Sequence, residues 1–91
     1  MTIRVKELIW DEYNSSHISK HSISISEVEQ VCSGKVIAQP SYSNRISVIG
    51  KTKKRLMINI VLAKKNKGVY YTITARDTSR KERGWIKHGQ N

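Results

Sequence analysis

Arg76 closes an alternating stretch, Thr72-Ile73-Thr74-Ala75-Arg76, and the residues after it, Asp77 to Arg83, have the composition of a helix start. A guanidinium at the end of a strand, beside hydroxyls that cap helices, suits an anion such as phosphate, which it can grip with two parallel donors. Arg45 and Arg55 fall likewise on the more polar face of their own alternating stretches. If those strands are antiparallel neighbours, the three cations converge on one side of a sheet, where they could hold the charge of a phosphate. The same residues also fit solvated strand ends, and the register decides between the two.

Were that phosphate part of an RNA strand, cleaving it without a metal would need more than cations. The 2′-hydroxyl must attack its own phosphate, a base must take the hydroxyl proton, and an acid must protonate the leaving 5′-oxygen. Histidine has the side chain best matched to that proton traffic. His21 is the candidate, with His17 on the same helix face and His88 in the tail. His21 fits equally well as the residue that ends a helix.

A polyanionic partner is written into the charge distribution. The net charge is +10, and residues 30–76 contain ten lysines and arginines and no acid. Such a block implies a polyanionic or strongly acidic partner; a basic surface kept for solubility is the plainer alternative. Lys51, Lys53 and Lys54 in a basic turn, with Arg80, Lys81 and Arg83 on a C-terminal helix, are the candidate contacts to an RNA backbone.

Other chemistries find no residues. Paired carboxylates do not recur in the basic half, which argues against glycoside hydrolysis or two-metal catalysis. Gly50-Lys51-Thr52 has the tail of a phosphate-binding loop, but Ile46 to Ile49 stand where its upstream glycine belongs. The single Cys32 has no partner for an internal disulfide, and no Cys/His spacing suggests a metal site, so no cofactor is expected. The N-terminus lacks the apolar run of a signal peptide and no stretch approaches a membrane span, which together with the lone thiol points to the cytoplasm.

The elements that must position these residues follow from periodicity. Ninety-one residues suit one domain over 1–91. Glu7–Trp10 reads as an edge strand. Asp11 caps a helix over Glu12–Lys20, and Ser24-Ile25-Ser26-Glu27 is a capping box opening a second helix with Ile25, Val28, Val31 and Cys32 as its buried stripe, ended by Ser33-Gly34. From Lys35 the period becomes two. Strands are predicted over Lys35–Gln39, ended by Pro40, which fits an edge position or a turn, and over Arg45–Lys51, Arg55–Lys64 and Val69–Arg76, the last two joined by an Asn66-Lys67-Gly68 hairpin. In the last strand Val69, Tyr71, Ile73 and Ala75 should face the core, and Tyr70, Thr72, Thr74 and Arg76 the other side. Ser79-Arg80-Lys81-Glu82 opens a terminal helix on which Trp85 and Ile86 dock to the sheet. The expected fold is α+β, a mostly antiparallel sheet of about four strands with two N-terminal helices and one C-terminal helix.

Four ordered pieces carry a resemblance: Ile9-Trp10-Asp11-Glu12; His17 to His21 followed by Ser26-Glu27-Val28-Glu29; Arg45 to Gly50 leading to Arg55-Leu56; and Thr74-Ala75-Arg76-Asp77 with Lys81-Glu82-Arg83. In this order the chain resembles the BrnT family of type II toxins, within the RelE/ParE-like group of small ribonuclease folds. The resemblance implies an antiparallel sheet carrying helices, cleavage of mRNA (on the ribosome or off it) that arrests growth, and neutralisation by a cognate antitoxin, commonly a ribbon-helix-helix DNA-binding protein. The chain departs from the pattern at Lys54-Arg55, where relatives often have Gly-Arg, and at Lys51, where a lysine cannot supply the bidentate geometry of arginine. Two alternatives stay open: a non-catalytic nucleic-acid- or protein-binding module on the same fold, and a ParE-like inhibitor of a protein target.

Overall fold

In the computed structural model, residues 1–54 and 57–78 are described. Thr2–Val5 forms β1 and Glu7–Ile9 forms β2, two halves of one extended segment that pivots at Lys6. Helix α1, Glu12–Lys20, begins where Asp11 accepts from the Asn14 amide at 2.9 Å while the Asn14 side chain accepts from the Asp11 amide. Helix α2, Ile25–Val31, begins with the reciprocal bonds of Ser24 and Glu27. Gly34, at φ +70, turns the chain into β3, Gly34–Pro40, a conformation in which an L side chain would be strained. A single 3₁₀ turn, Tyr42–Asn44, leads to β4, Ile46–Gly50, followed by β5, Ile58–Asn66, and β6, Val69–Asp77.

The protein is therefore α+β, but the sheet has six strands among the described residues, not about four, in the order β1-β3-β4-β5-β6-β2. Neighbours pair antiparallel except β2, which runs parallel to β6. The extra strand comes from the N-terminal segment, whose two halves pair at opposite ends of the order. Val5 sits against β3 and Glu7 against β6, so the sheet curls until its outermost strands are one residue apart. At the pivot the amides of Lys6 and Glu7 both donate to the Gly68 carbonyl, at 2.8 and 3.1 Å. Gly68 has φ +76, and a Cβ there would meet the Lys6 side chain at 2.9 Å.

Pro40 does not mark an edge strand, since β3 lies between β1 and β4. It is tolerated because β1 pairs only with Gly34–Ile37 and leaves the last residues of β3 uncovered on that side. The expected C-terminal helix, with Arg80, Lys81, Arg83, Trp85 and Ile86, lies outside the described residues.

Alternation in β5 places Ile58, Ile60 and Leu62 in the core, fully buried with Ile18, Val28, Val48 and Ala75. Each such side chain contributes about 1.5–3 kcal/mol by leaving water. Helix α2 rests on β4 so closely that a Cβ on Gly50 would meet Val31 Cγ1 at 2.6 Å. Its buried stripe is narrower than expected: Val28 and Cys32 are inside, Val31 is half-buried and Ile25 is exposed.

β6 departs from simple alternation. Val61 pairs with Thr74 but Leu62 pairs with Thr72, so Ile73 is an extra residue, a β-bulge that reverses the phase of everything before it. Ala75 faces the core and Thr74 and Arg76 face away, as expected. Tyr70 and Thr72, expected outside, are instead buried, and Tyr71 is turned to the other face.

Candidate nucleic-acid interface

Beyond the bulge, β5 and β6 build the floor of a small site. Asn59 is the register partner of Arg76, and Val61 of Thr74, all on the face opposite Ile58, Ile60 and Ala75. β2 covers β6 only from Val69 to Tyr71, and α1, which follows β2 directly, packs against β6 as well. That packing delivers His21, at the C-terminal cap of α1, to the same place. Its amide closes the helix by donating to the Ile18 carbonyl at 3.0 Å, while its side chain joins Tyr42, Asn59, Val61, Thr74 and Arg76 around a concavity of about 200 Å³. Ser22, at φ +60, then reverses the chain toward α2.

Two of the four residues expected to do chemistry, His21 and Arg76, are thus brought together from positions far apart in the chain. Arg45 does not line the concavity. It stacks its guanidinium over the Tyr42 ring, 5.1 Å from the centroid, and so acts on the site through a residue that does line it. Arg55 lies outside the described residues. The basic turn Lys51–Lys54 is exposed and does not line the concavity either. It leaves the sheet at the right end, however: Gly50, Ile58 and Asp77 are mutual register neighbours, one residue beyond Arg76.

Asn59, Tyr42 and Thr74 belong to the site and were missed from the sequence. Asn59 had a signal, being the lone amide in an apolar run from Ile58 to Ala63, at a position where asparagine disfavours strand formation. Its Oδ1 is buried and has no hydrogen-bond partner among the described residues. Tyr42 had none, because it reaches the site by folding back from the β3–β4 connection.

A second set of contacts extends the site along α1 and β6. Tyr13, His17 and His21 recur every fourth residue down one side of the helix, Tyr13 and His17 stacked with ring centroids 6.4 Å apart and His17 and His21 meeting edge to face at 5.6 Å. Alongside, Tyr71 donates to both carboxylate oxygens of Asp11, at 3.1 and 3.0 Å, and Lys65 places Nζ 5.8 Å from the Tyr71 ring. Burial, the hydrogen bonds to Asp11 and the carboxylate charge together push the Tyr71 phenol above its ordinary ionisation range. Among the described residues no group of three or more His, Cys, Asp or Glu side chains is placed to hold a metal ion, and no helix is long and apolar enough to cross a membrane.

No protein-family model, curated protein or solved structure matches the chain.

Proposed function

We propose that this protein is a metal-independent endoribonuclease acting on mRNA, the toxin member of a toxin-antitoxin pair, working in the cytoplasm and silenced there by a cognate antitoxin. The observation that carries the catalytic reading is the meeting of His21, Arg76 and Asn59 around one concavity. Each matches one part of a ribonucleotide. The guanidinium suits a phosphate oxygen and the charge that builds on it. Imidazole suits the proton of the 2′-hydroxyl. The carboxamide oxygen needs a donor, and leaving it without one costs about 1–3 kcal/mol, which a ribose hydroxyl relieves when the side chain turns to meet it.

In the reaction the 2′-oxygen, losing its proton to His21, bonds to phosphorus as the bond to the 5′-oxygen breaks. Products are a 2′,3′-cyclic phosphate and a 5′-hydroxyl end. Tyr42, which also lines the concavity, carries a hydroxyl that can give the leaving oxygen its proton. The pairing with an antitoxin, the action on mRNA and the growth arrest rest on the resemblance to BrnT toxins and on the basic character of the chain.

The test uses purified protein, free of any partner, on RNA and on the same oligonucleotide with 2′-deoxyribose at the cleavage position. The proposal expects cyclic-phosphate ends from RNA, no cut at the deoxy position, and loss of about 100-fold or more in rate for Arg76→Ala. A folded wild type that leaves both oligonucleotides intact, with and without ribosomes, refutes it. Binding without cutting, weakened only a few-fold by Arg76→Ala, would mark a non-catalytic module, as losing one of several phosphate contacts does.

A further inference from the structure

Tyr13 is 75% exposed although it stacks on His17, so one face of its ring is open to solvent at the far end of a ladder whose near end, His21, is in the concavity. From Tyr13 to His21 is eight residues of helix, about 12 Å. A hollow lined by Glu12, Tyr13, Ser16, His17 and Lys20 lies along this same helix face. Lys20, which lines the hollow, and Lys65, held over Tyr71, add positive charge to this part of the molecule. An exposed ring at Tyr13, a half-buried one at His17 and, through the contact of His17 with His21, a lead into the phosphate-sized concavity are what a single strand requires. Its bases offer π faces to the rings, and its phosphates meet the cations. A duplex cannot use such a track, because its bases are already stacked on one another.

We infer that the Tyr13-His17 face of α1 is a base-stacking platform for the nucleotides next to the phosphate at Arg76, so that the substrate is single-stranded RNA with its bases splayed onto the helix. The inference rests on the reading of the concavity as a phosphate site and adds what holds the strand on either side of it. Glu12 bears on it too: a carboxylate at the edge of the platform repels phosphate and accepts from base N–H groups, which keeps bases and not backbone on this face.

The experiment measures binding of fluorescent 2′-O-methyl RNA of about eight nucleotides, within the usual site size of single-strand binders, against an abasic oligomer of the same backbone and length. Methylation removes the nucleophile, so binding is read without cleavage. Tyr13→Ala should weaken the base-bearing oligomer by roughly 5- to 100-fold, the loss of one stacked base, and leave the abasic oligomer unchanged. Tyr13→Trp, which keeps a π face, should restore it. Arg76→Ala should weaken both oligomers alike. Equal effects of Tyr13→Ala on the two oligomers, or none on either, overturn the platform and leave the phosphate site standing. A folded wild type that binds neither oligomer overturns both.

Discussion

Asn59 and Arg76 face each other as register partners on β5 and β6, one carrying a buried carboxamide oxygen without a hydrogen-bond partner among the described residues and the other an exposed guanidinium. A polar atom left unsatisfied in the folded chain lowers stability, and under the proposed function its retention follows from the ribose hydroxyl it would meet. Replacing it should separate the two effects. Asn59→Leu, nearly the same shape without the amide, is expected to raise folding stability by about 1–3 kcal/mol and to slow RNA cleavage about tenfold. Chemical denaturation and a cleavage assay on the same preparation check both signs; a variant that is more stable and fully active would show Asn59 to be idle in the site.

Arg45 touches the site only through Tyr42, and this predicts a non-additive pair. An exposed cation–π contact holds a ring with about 0.5–1 kcal/mol, so Arg45→Ala should slow cleavage by roughly two- to fivefold. In a Tyr42→Ala background the same substitution should change nothing further. An arginine that gripped RNA directly would keep its effect there, and the rates of the four proteins in this cycle decide the matter.

Local signals were legible and long-range ones were not. Asp11 and Ser24 announced both helices because a cap is settled by residues three apart. Ile58, Ile60 and Leu62 announced the central strand by alternation alone. The bulge at Ile73 left no trace, since no glycine or proline marks it, and one extra residue is enough to turn Tyr70, Thr72 and Tyr71 to faces opposite to those expected. The β1 strand escaped for a related reason: Thr2 to Ile9 is a single extended run, and only the closing of the sheet makes it serve two partners. His21 and Arg76 were chosen separately, by the chemistry of their side chains. Their proximity depends on α1 packing against β6 beyond the reach of β2, which no pattern within either element encodes.

Asp11 ties the start of α1 to β6 through Tyr71, and with burial its hydrogen bonds and charge push that phenol's ionisation above the ordinary range. Asp11→Asn keeps a good helix cap but removes the charge. The Tyr71 phenol should then ionise at lower pH than in wild type. Absorbance titration shows this as a shift in the tyrosinate curve that disappears when Tyr71→Phe is the background. A curve unmoved by Asp11→Asn would mean that burial alone accounts for the raised ionisation.

Cys32 is the buried thiol behind α2, 2% exposed, and burial pushes its ionisation up to about 12. In the unfolded chain the same thiol ionises near its ordinary value of about 8.5. Protons are therefore bound more tightly by the folded state, and the stability this confers is present in full below that value and is lost as pH rises toward 12. Between these limits the wild type should lose about 1.4 kcal/mol per pH unit more than Cys32→Ala, which has no proton to lose. The comparison cancels the alkaline titration of lysines and tyrosines common to both chains. Alkylating reagents give a second check: the native thiol should stay unreactive at mildly alkaline pH and become reactive in denaturant, because the reactive species is the thiolate that burial suppresses. Rapid labelling of the folded protein would place Cys32 at the surface and contradict the packing of α2 against the sheet.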